Sequence, residues 1–366
     1  QAQPRPVVTR DRRETGENLD RWPLIRGDPQ ARGVAQSPLP EKLQLLWTFS
    51  EKKGSFTATA AIADGTVYLG SREGNFYALD LETGRQRWAI QSESEFSASA
   101  AVRGGRVYIG DTDGRFSCLE AASGKKVWDF TSQAEIDSSA NFYKHTVLFG
   151  SQDAMLYCLD AASGQLVWKW ESANQIRCFP SVLDHFTFVA GCDGRLHVVD
   201  LETGRETGSV NLQAPTGSAP AAWQGKVFVG TEGNVFFAID PFRQQVLWRF
   251  QAEKHPAAFR SSAAVTPEAV IVGSRDKRVR VFNPKSGAVL WSFAARDQVD
   301  SSPVVVGGRV FVGSADGRLY ALDLRTGEKR WQFEAGGAIL ASPAVAAGRM
   351  VIGTDQGDLF CFGEKK

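Results

Sequence analysis

From residue 43 onward, short apolar runs alternate with tight polar turns in a pattern that returns again and again. The clearest stretch runs from Ser301 to Phe333. Ser301-Ser302-Pro303-Val304-Val305-Val306 enters a Gly307-Gly308 hairpin, and Val310-Phe311-Val312 returns from it. The Asp316-Gly317 turn leads into Leu319-Tyr320-Ala321-Leu322. After Asp323 and the Thr326-Gly327 turn, a last strand carries Trp331. The pattern predicts four antiparallel strands in about forty residues, which is one blade of a β-propeller.

A glycine closing the second strand recurs at Gly70, Gly110, Gly150, Gly191, Gly230, Gly273, Gly313 and Gly353, at spacings of 40, 40, 41, 39, 43, 40 and 40. Eight copies predict an all-β, eight-bladed propeller of four-stranded antiparallel blades over residues 43–362. A fourth-strand tryptophan recurs at Trp88, Trp128, Trp168, Trp248, Trp291 and Trp331, with one more upstream at Trp47. The last copy stops at Leu359-Phe360-Cys361-Phe362, inside a third strand, whereas Leu45-Leu46-Trp47-Thr48-Phe49 is a fourth strand without a blade. Pairing the two closes the ring and leaves only short protected edges. The tryptophans are expected to pack between blades, each contributing at most ~4–6 kcal/mol by buried area. Blade five reads as having Gly208 in place of its tryptophan and an altered turn at Asp240-Pro241-Phe242-Arg243, so blades five and six should be the least regular.

Outside the repeat lie residues 1–42 and a short tail at 363–366. Pro4, Pro6, Pro23, Pro29, Pro38 and Pro40 argue against regular structure in the first of these. Residues 1–20 are expected to be mobile, and Trp22 with the segment after it to dock on the propeller. The opening Gln1-Ala2-Gln3-Pro4-Arg5-Pro6 reads as what remains after a signal peptide, with a trimmed chain as the alternative. A lipoprotein anchor would require Cys in place of Gln1, so this form is expected to be free in a periplasmic or extracellular compartment.

Composition changes the picture little: 43% apolar and 23% charged residues are ordinary for a folded protein. The net charge of +1 supplies no field to gather nucleic acid. No apolar run is long enough to span a bilayer.

The run Asp323-x-x-Thr326-Gly327-x-x-x-Trp331, preceded by Tyr320-Ala321-Leu322, resembles the tryptophan-docking repeat of pyrroloquinoline-quinone (PQQ) propellers. Tyr77-Ala78-Leu79-Asp80 through Thr83-Gly84 to Trp88 repeats it, with weaker copies at Ser123-Gly124, Ser163-Gly164 and Ser286-Gly287. The lead-in Trp22-Pro23-x-x-Arg26-Gly27-Asp28-Pro29 looks like the segment that often precedes such repeats. The resemblance implies one of two functions. Quinoprotein dehydrogenases hold PQQ and calcium over the propeller and oxidise alcohols or sugars. PQQ-like repeat proteins similar to BamB, the outer-membrane protein assembly factor, bind proteins and need no cofactor.

Among such dehydrogenases the resemblance implies a pair of adjacent cysteines against the quinone, and no Cys-Cys occurs here. Cys118, Cys158 and Cys361 take a third-strand position filled elsewhere by Ala78, Ala238 and Ala321, and read as small core residues. Cys178 and Cys192 align with Ser301 and Ser314 across the first hairpin, so a disulfide and two free thiols are both open. No Cys-x-x-Cys-His marks a haem, and His145, His185, His197 and His255 have no metal-ligand spacing. Asp111-Thr112-Asp113-Gly114 lacks the further ligands of a calcium loop.

The most informative positions stand just before each innermost strand: Thr57, Ser97, Asp137, Arg177, Gly217, Arg260, Asp300 and Leu340. One per blade, they should ring the channel mouth. Asp137 beside Arg177 and Arg260 beside Asp300 read as two inter-blade salt bridges, as a polar binding face, or as both. The insertion Glu253-Lys254-His255-Pro256-Ala257-Ala258-Phe259 is expected to add exposed apolar and basic character there. Together these features point to a monomeric, non-catalytic scaffold that binds another protein, a peptide or a cell-envelope component, with no PQQ or calcium. The alternatives are a quinoprotein dehydrogenase or the ligand-binding part of a larger chain.

Overall fold

The computed structural model describes residues 19–253 and 255–365. Residues 1–18, which hold most of the segment expected to be mobile, lie outside them. Among the described residues, 32 strands form eight four-stranded antiparallel sheets, and no helix occurs. The first strand of each blade is innermost, and the first strands of blades one and eight touch, so the sheets form a closed ring. The strand Gln44–Ser50 pairs with Asp358–Gly363, setting Trp47 opposite Cys361 and Thr48 opposite Phe360. The eighth blade is therefore built from both ends of the ring.

Six of the eight blades are held to the next by a hydrogen bond from the fourth-strand indole. Trp47, Trp88, Trp128, Trp168, Trp248 and Trp291 donate through Nε1 to backbone carbonyls of the following blade at 2.9–3.3 Å. The indole lies on that blade's turn glycine. At Gly327, where φ is +74°, an added Cβ would come within 2.6 Å of Trp291, so both backbone freedom and space require glycine. Trp331 faces the blade whose turn is interrupted by the chain ends, and packs edge-on against Phe362, with ring centroids 5.5 Å apart. Behind the indoles stand small partners in register: Cys118 opposite Trp128, Cys158 opposite Trp168, and Cys361 opposite Trp47. All three thiols are buried.

The structure revises the reading of the irregular blades. Gly208 lies in the fourth blade and Asp240-Pro241-Phe242-Arg243 in the fifth, so the two anomalies are opposite sides of one joint. Gln244 occupies the turn position, with its amide 2.7 Å from where a Cβ on Gly208 would lie. Phe242 reaches back to Phe186, with centroids 5.1 Å apart. The missing indole and the missing turn glycine thus offset each other, and the fourth blade keeps all four strands. The shortest first strand, Ala264–Val265, is in the sixth blade.

The glycine series also shifts by one residue in the fourth blade. There the second strand is Phe186–Ala190, so Ala190, not Gly191, stands where Gly313 closes Arg309–Gly313. Elsewhere a large residue from the next blade presses on this position: a Cβ on Gly313 would come within 2.2 Å of Ile339. The equivalent neighbour of Ala190 is Thr216, whose amide bonds Gly191 as that of Ile339 bonds Ser314. A smaller neighbour makes room for the extra methyl.

That shift corrects the cysteine alignment. Ser181 pairs with Phe188 and Leu183 with Phe186, so the same register sets Cys178 level with Gly191 and leaves Cys192 one residue away. Cys192 lies in the turn that follows the strand, beyond the paired residues, and no disulfide joins it to Cys178. Both are free thiols, and the Cys178 sulfur instead lies 3.4 Å from the Thr216 carbonyl.

Residues 19–43 have no strand of their own beyond single bridges at Trp22 and Val34. They run beneath the channel and complete the innermost strands. Carbonyls of Trp22, Pro23, Pro29, Gln30, Arg32 and Gly33 accept from Ile62, Val102, Val182, Ala222, Val265 and Val305, one in each of six blades, at 2.7–2.9 Å. Asn141 in the third blade gives its side-chain amide to Pro29 and Pro180. Trp22 is 1% exposed, as is Arg26. The Arg26 guanidinium donates to the carbonyls of Ser302, Ala263 and Pro303, and burial pulls its pKa down to about 9.

Candidate functional site

With one end covered by this segment, the channel becomes a pit open at the other end. Its volume is about 200 Å³, and Ile25 lies against the Phe179 cluster and lines it from the covered side. Thr57, Ser97, Asp137, Arg177, Gly217, Arg260, Asp300 and Leu340 all line it, one from each blade. They share the site because each precedes a first strand by the same number of residues, and all first strands face the axis.

The charged members pair differently from the sequence expectation. Asp137 and Arg177 do meet across blades three and four, with Arg177 Nε and a terminal nitrogen 3.0 and 2.8 Å from Asp137 Oδ2. Asp137 also accepts from Ser97 Oγ at 2.8 Å and Gln152 Nε2 at 2.7 Å. Arg260 and Asp300 do not pair. Arg260 bonds Glu232 at 2.7 Å, and Asp300 is gripped through both oxygens by Arg275 at 2.6–3.1 Å. Glu232 and Arg275 both follow a second strand, in the loop beside the next blade's mouth position. Sequence spacing gave one signal for these partners, the recurrent place after Ser274 and Thr231, but the mouth residues alone could not reveal it. In the insertion, His255 is exposed whereas Phe259 is 1% exposed and packs on Gly230, so the aromatic there belongs to the core. Lys254 lies outside the described residues.

Two residues deeper, alternation of side chains returns to the axis and builds a second tier that the sequence reading missed. Thr59, Ser99, Ser139, Ser262, Ser302 and Ser342 are 3–8% exposed and line the pit. Each hydroxyl oxygen accepts a backbone N–H from the preceding blade. The bonds run Thr59 to Ser99, Ser99 to Ser139, Ala219 to Ser262, Ser262 to Ser302, Ser302 to Ser342 and Ser342 to Thr59, at 2.8–3.1 Å. The belt is broken only across blades four and five, where Phe179 and Ala219 replace the hydroxyls. A serine or threonine recurring two residues after the mouth position in six repeats was the available signal.

A further polar group lies in the third strand of the fourth blade, apart from the residues that line the pit. His197 stands where other blades carry Tyr157 and Tyr320, whose hydroxyls bond Asp153 and Asp316 at 2.6 Å. Its imidazole lies between Asp193 at 2.7 Å and Glu206 at 3.0 Å, and packs on Trp170. Burial opposes its charge, but the two carboxylates outweigh burial and raise its pKa.

The carboxylates at the mouth are already engaged by neighbouring side chains. Calcium takes six to eight oxygen ligands, mostly carboxylate and carbonyl. Here the Asp137 and Asp300 carboxylates are each bonded to an arginine, and Glu232 is bonded to Arg260. Among the described residues, no three His, Cys, Asp or Glu side chains are grouped to hold a metal.

Comparison with known proteins fits this architecture. The family described as outer membrane protein assembly factor BamB matches residues 41–178, 152–292 and 275–363. No curated protein matches the sequence significantly. Among solved structures, the quinohemoprotein alcohol dehydrogenase of Comamonas testosteroni superposes with a TM-score of 0.80 at 16% identity, covering 97% of this chain and 82% of that one. The computationally designed Ika8 protein gives a TM-score of 0.77 at 20% identity, covering 88% of this chain and 100% of its own. BamB from Moraxella catarrhalis gives a TM-score of 0.50 at 20% identity, over 88% and 98% of the two chains. At these identities the structures share the fold, which does not fix function. The family match spans the whole propeller, and the chain belongs to the PQQ-like repeat family described as outer membrane protein assembly factor BamB.

Proposed function

We propose that this protein is a non-catalytic scaffold of the cell envelope that binds a partner protein or peptide over the pit mouth. The observation carrying this reading is the state of the mouth charges. Asp137 and Asp300 are each bonded to an arginine, which lowers their basicity and occupies lone pairs a metal would need. What remains exposed are arginine edges, hydroxyls and the Gly217 backbone, which suit recognition rather than bond-making. The family match supports an envelope role by analogy. No helix among the described residues is long and apolar enough to cross a membrane.

The test places a photo-crosslinking residue at position 217, on the rim, and a second at Val167, exposed on an outer strand. The expected result is a discrete crosslinked species from position 217 that disappears in the Arg177→Glu/Arg260→Glu variant. Equal labelling from both positions would overturn the rim as the binding face. Calorimetric titration with PQQ and calcium, followed by dye-linked alcohol oxidation, checks the enzymatic reading. Calcium-dependent binding with turnover would replace the scaffold by a dehydrogenase.

A further inference from the structure

The belt hydroxyls carry a chemical asymmetry. A serine or threonine hydroxyl has one donor hydrogen besides its acceptor lone pairs. In the belt each oxygen accepts an amide, and its own hydrogen meets no acceptor among the described residues. Six donors, each more than nine-tenths buried, thus converge on one pit. Because the pit is open at one end, these hydrogens are free to bond whatever occupies it. The rim above adds donors, since Arg177 engages Asp137 through Nε and one terminal nitrogen, leaving the other terminal nitrogen unengaged. Arg260 uses only Nε. Asp137, Glu232 and Asp300 offset the charges of Arg177, Arg260 and Arg275, so the rim contributes unengaged N–H groups and not a net charge.

The opposite arc is apolar. Phe179 and Ala219 replace hydroxyls and forfeit two belt bonds, and Ile25 closes the bottom of the same side. Water alone does not call for an apolar arc facing a polar one. The arrangement matches instead a ligand with an acceptor-rich anionic end and an apolar body. We propose that the pit binds a carboxylate joined to one compact apolar group, its oxygens on the arc of Ser262, Ser302, Ser342 and Thr59 and its body against Phe179. A volume of about 200 Å³ holds on the order of seven waters, which limits the inserted part to about one side chain. A free organic acid and the C-terminal residue of a peptide both present this chemistry. The inference deepens the reading of the mouth as a binding face and rests on it.

Titration calorimetry with phenylacetate, with N-acetyl-Gly-Gly-Phe and with the same peptide as its C-terminal amide tests the proposal. The acids should bind, and the amide should bind at least tenfold more weakly. Tighter binding of the peptide acid identifies a chain terminus as the source, and tighter binding of phenylacetate a free acid. Ser302→Ala/Ser342→Ala should weaken acid binding at least tenfold. Alanine is tolerated in this tier, because Ala219 occupies it naturally. Ser302→Thr/Ser342→Thr should retain binding, since Thr59 is the native precedent. Circular dichroism and melting confirm that both variants fold. Acid and amide binding alike, no heat from either acid, or full affinity in the folded double-alanine variant would overturn the proposal. If the acids fail while position 217 still crosslinks in an Arg177-dependent way, the pit proposal falls and the rim reading stands.

Discussion

The two ends of the channel are made from the same eight first strands and finished in opposite ways. At the covered end, residues 22–33 supply backbone carbonyls to six blades, and Arg26 is buried among carbonyls from the sixth and seventh. Hydrogen bonding there is largely internal. At the open end, carboxylates are matched to arginines, but belt hydroxyl hydrogens and arginine edges are left facing the pit. The difference separates two uses of polar groups in one ring. Covered-end groups join blades and face inward, whereas mouth groups join blades and also face the pit.

That contrast orders the effects of substitution. Arg26→Ala should cost the most, roughly 3–5 kcal/mol, because it strands buried carbonyls and opens a cavity. Urea unfolding measures it, and a loss below about 1 kcal/mol would mean the covered end is not the tighter one. His197→Gln should cost roughly 3 kcal/mol near pH 6 by breaking a buried charge cluster. The raised His197 pKa stabilises the fold fully below its unfolded value near 6.5, and this contribution is lost as pH rises through the higher folded value. The wild-type and variant stability curves should therefore converge at alkaline pH, and parallel curves from pH 6 to 9 would show that the imidazole acts by shape alone. Ser302→Ala removes one belt acceptor and should cost about 1 kcal/mol. Arg177→Gln breaks a half-exposed pair and should change stability by no more than about 0.5 kcal/mol. A rim substitution as costly as Arg26→Ala, in the same unfolding assay, would erase the distinction between the ends.

Blade count, strand order and closure were legible because each rests on a repeated local rule. Trp47 and Phe360 are far apart in the chain, yet an orphan fourth strand and a blade lacking one have a single solution. The misreadings came where neighbouring blades compensate. Gly191 looked like the strand-closing glycine, but Ala190 holds that place because Thr216 replaces the larger residue pressing on it elsewhere. Gly208 and Gln244 likewise make sense only as two sides of a joint. For the site, the mouth positions follow from spacing alone. The partners of Arg260 and Asp300 come from a different loop, and the choice between Glu232, Arg275 and each other is decided by side-chain reach across blades.

The clasp between Gln44–Ser50 and Asp358–Gly363 also sets a timetable. The first strand made must wait for the last, separated by some three hundred residues of chain, before either finds its partner. Contacts so remote in sequence are slow to form and leave edges exposed meanwhile. The segment at residues 22–35 waits as well, since its partners include Val265 and Val305. Seven blades and the floor beneath them can assemble as their residues emerge, but the pit acquires its final wall only when synthesis has passed residue 363. Until that moment the chain is a row of sheets with no inside.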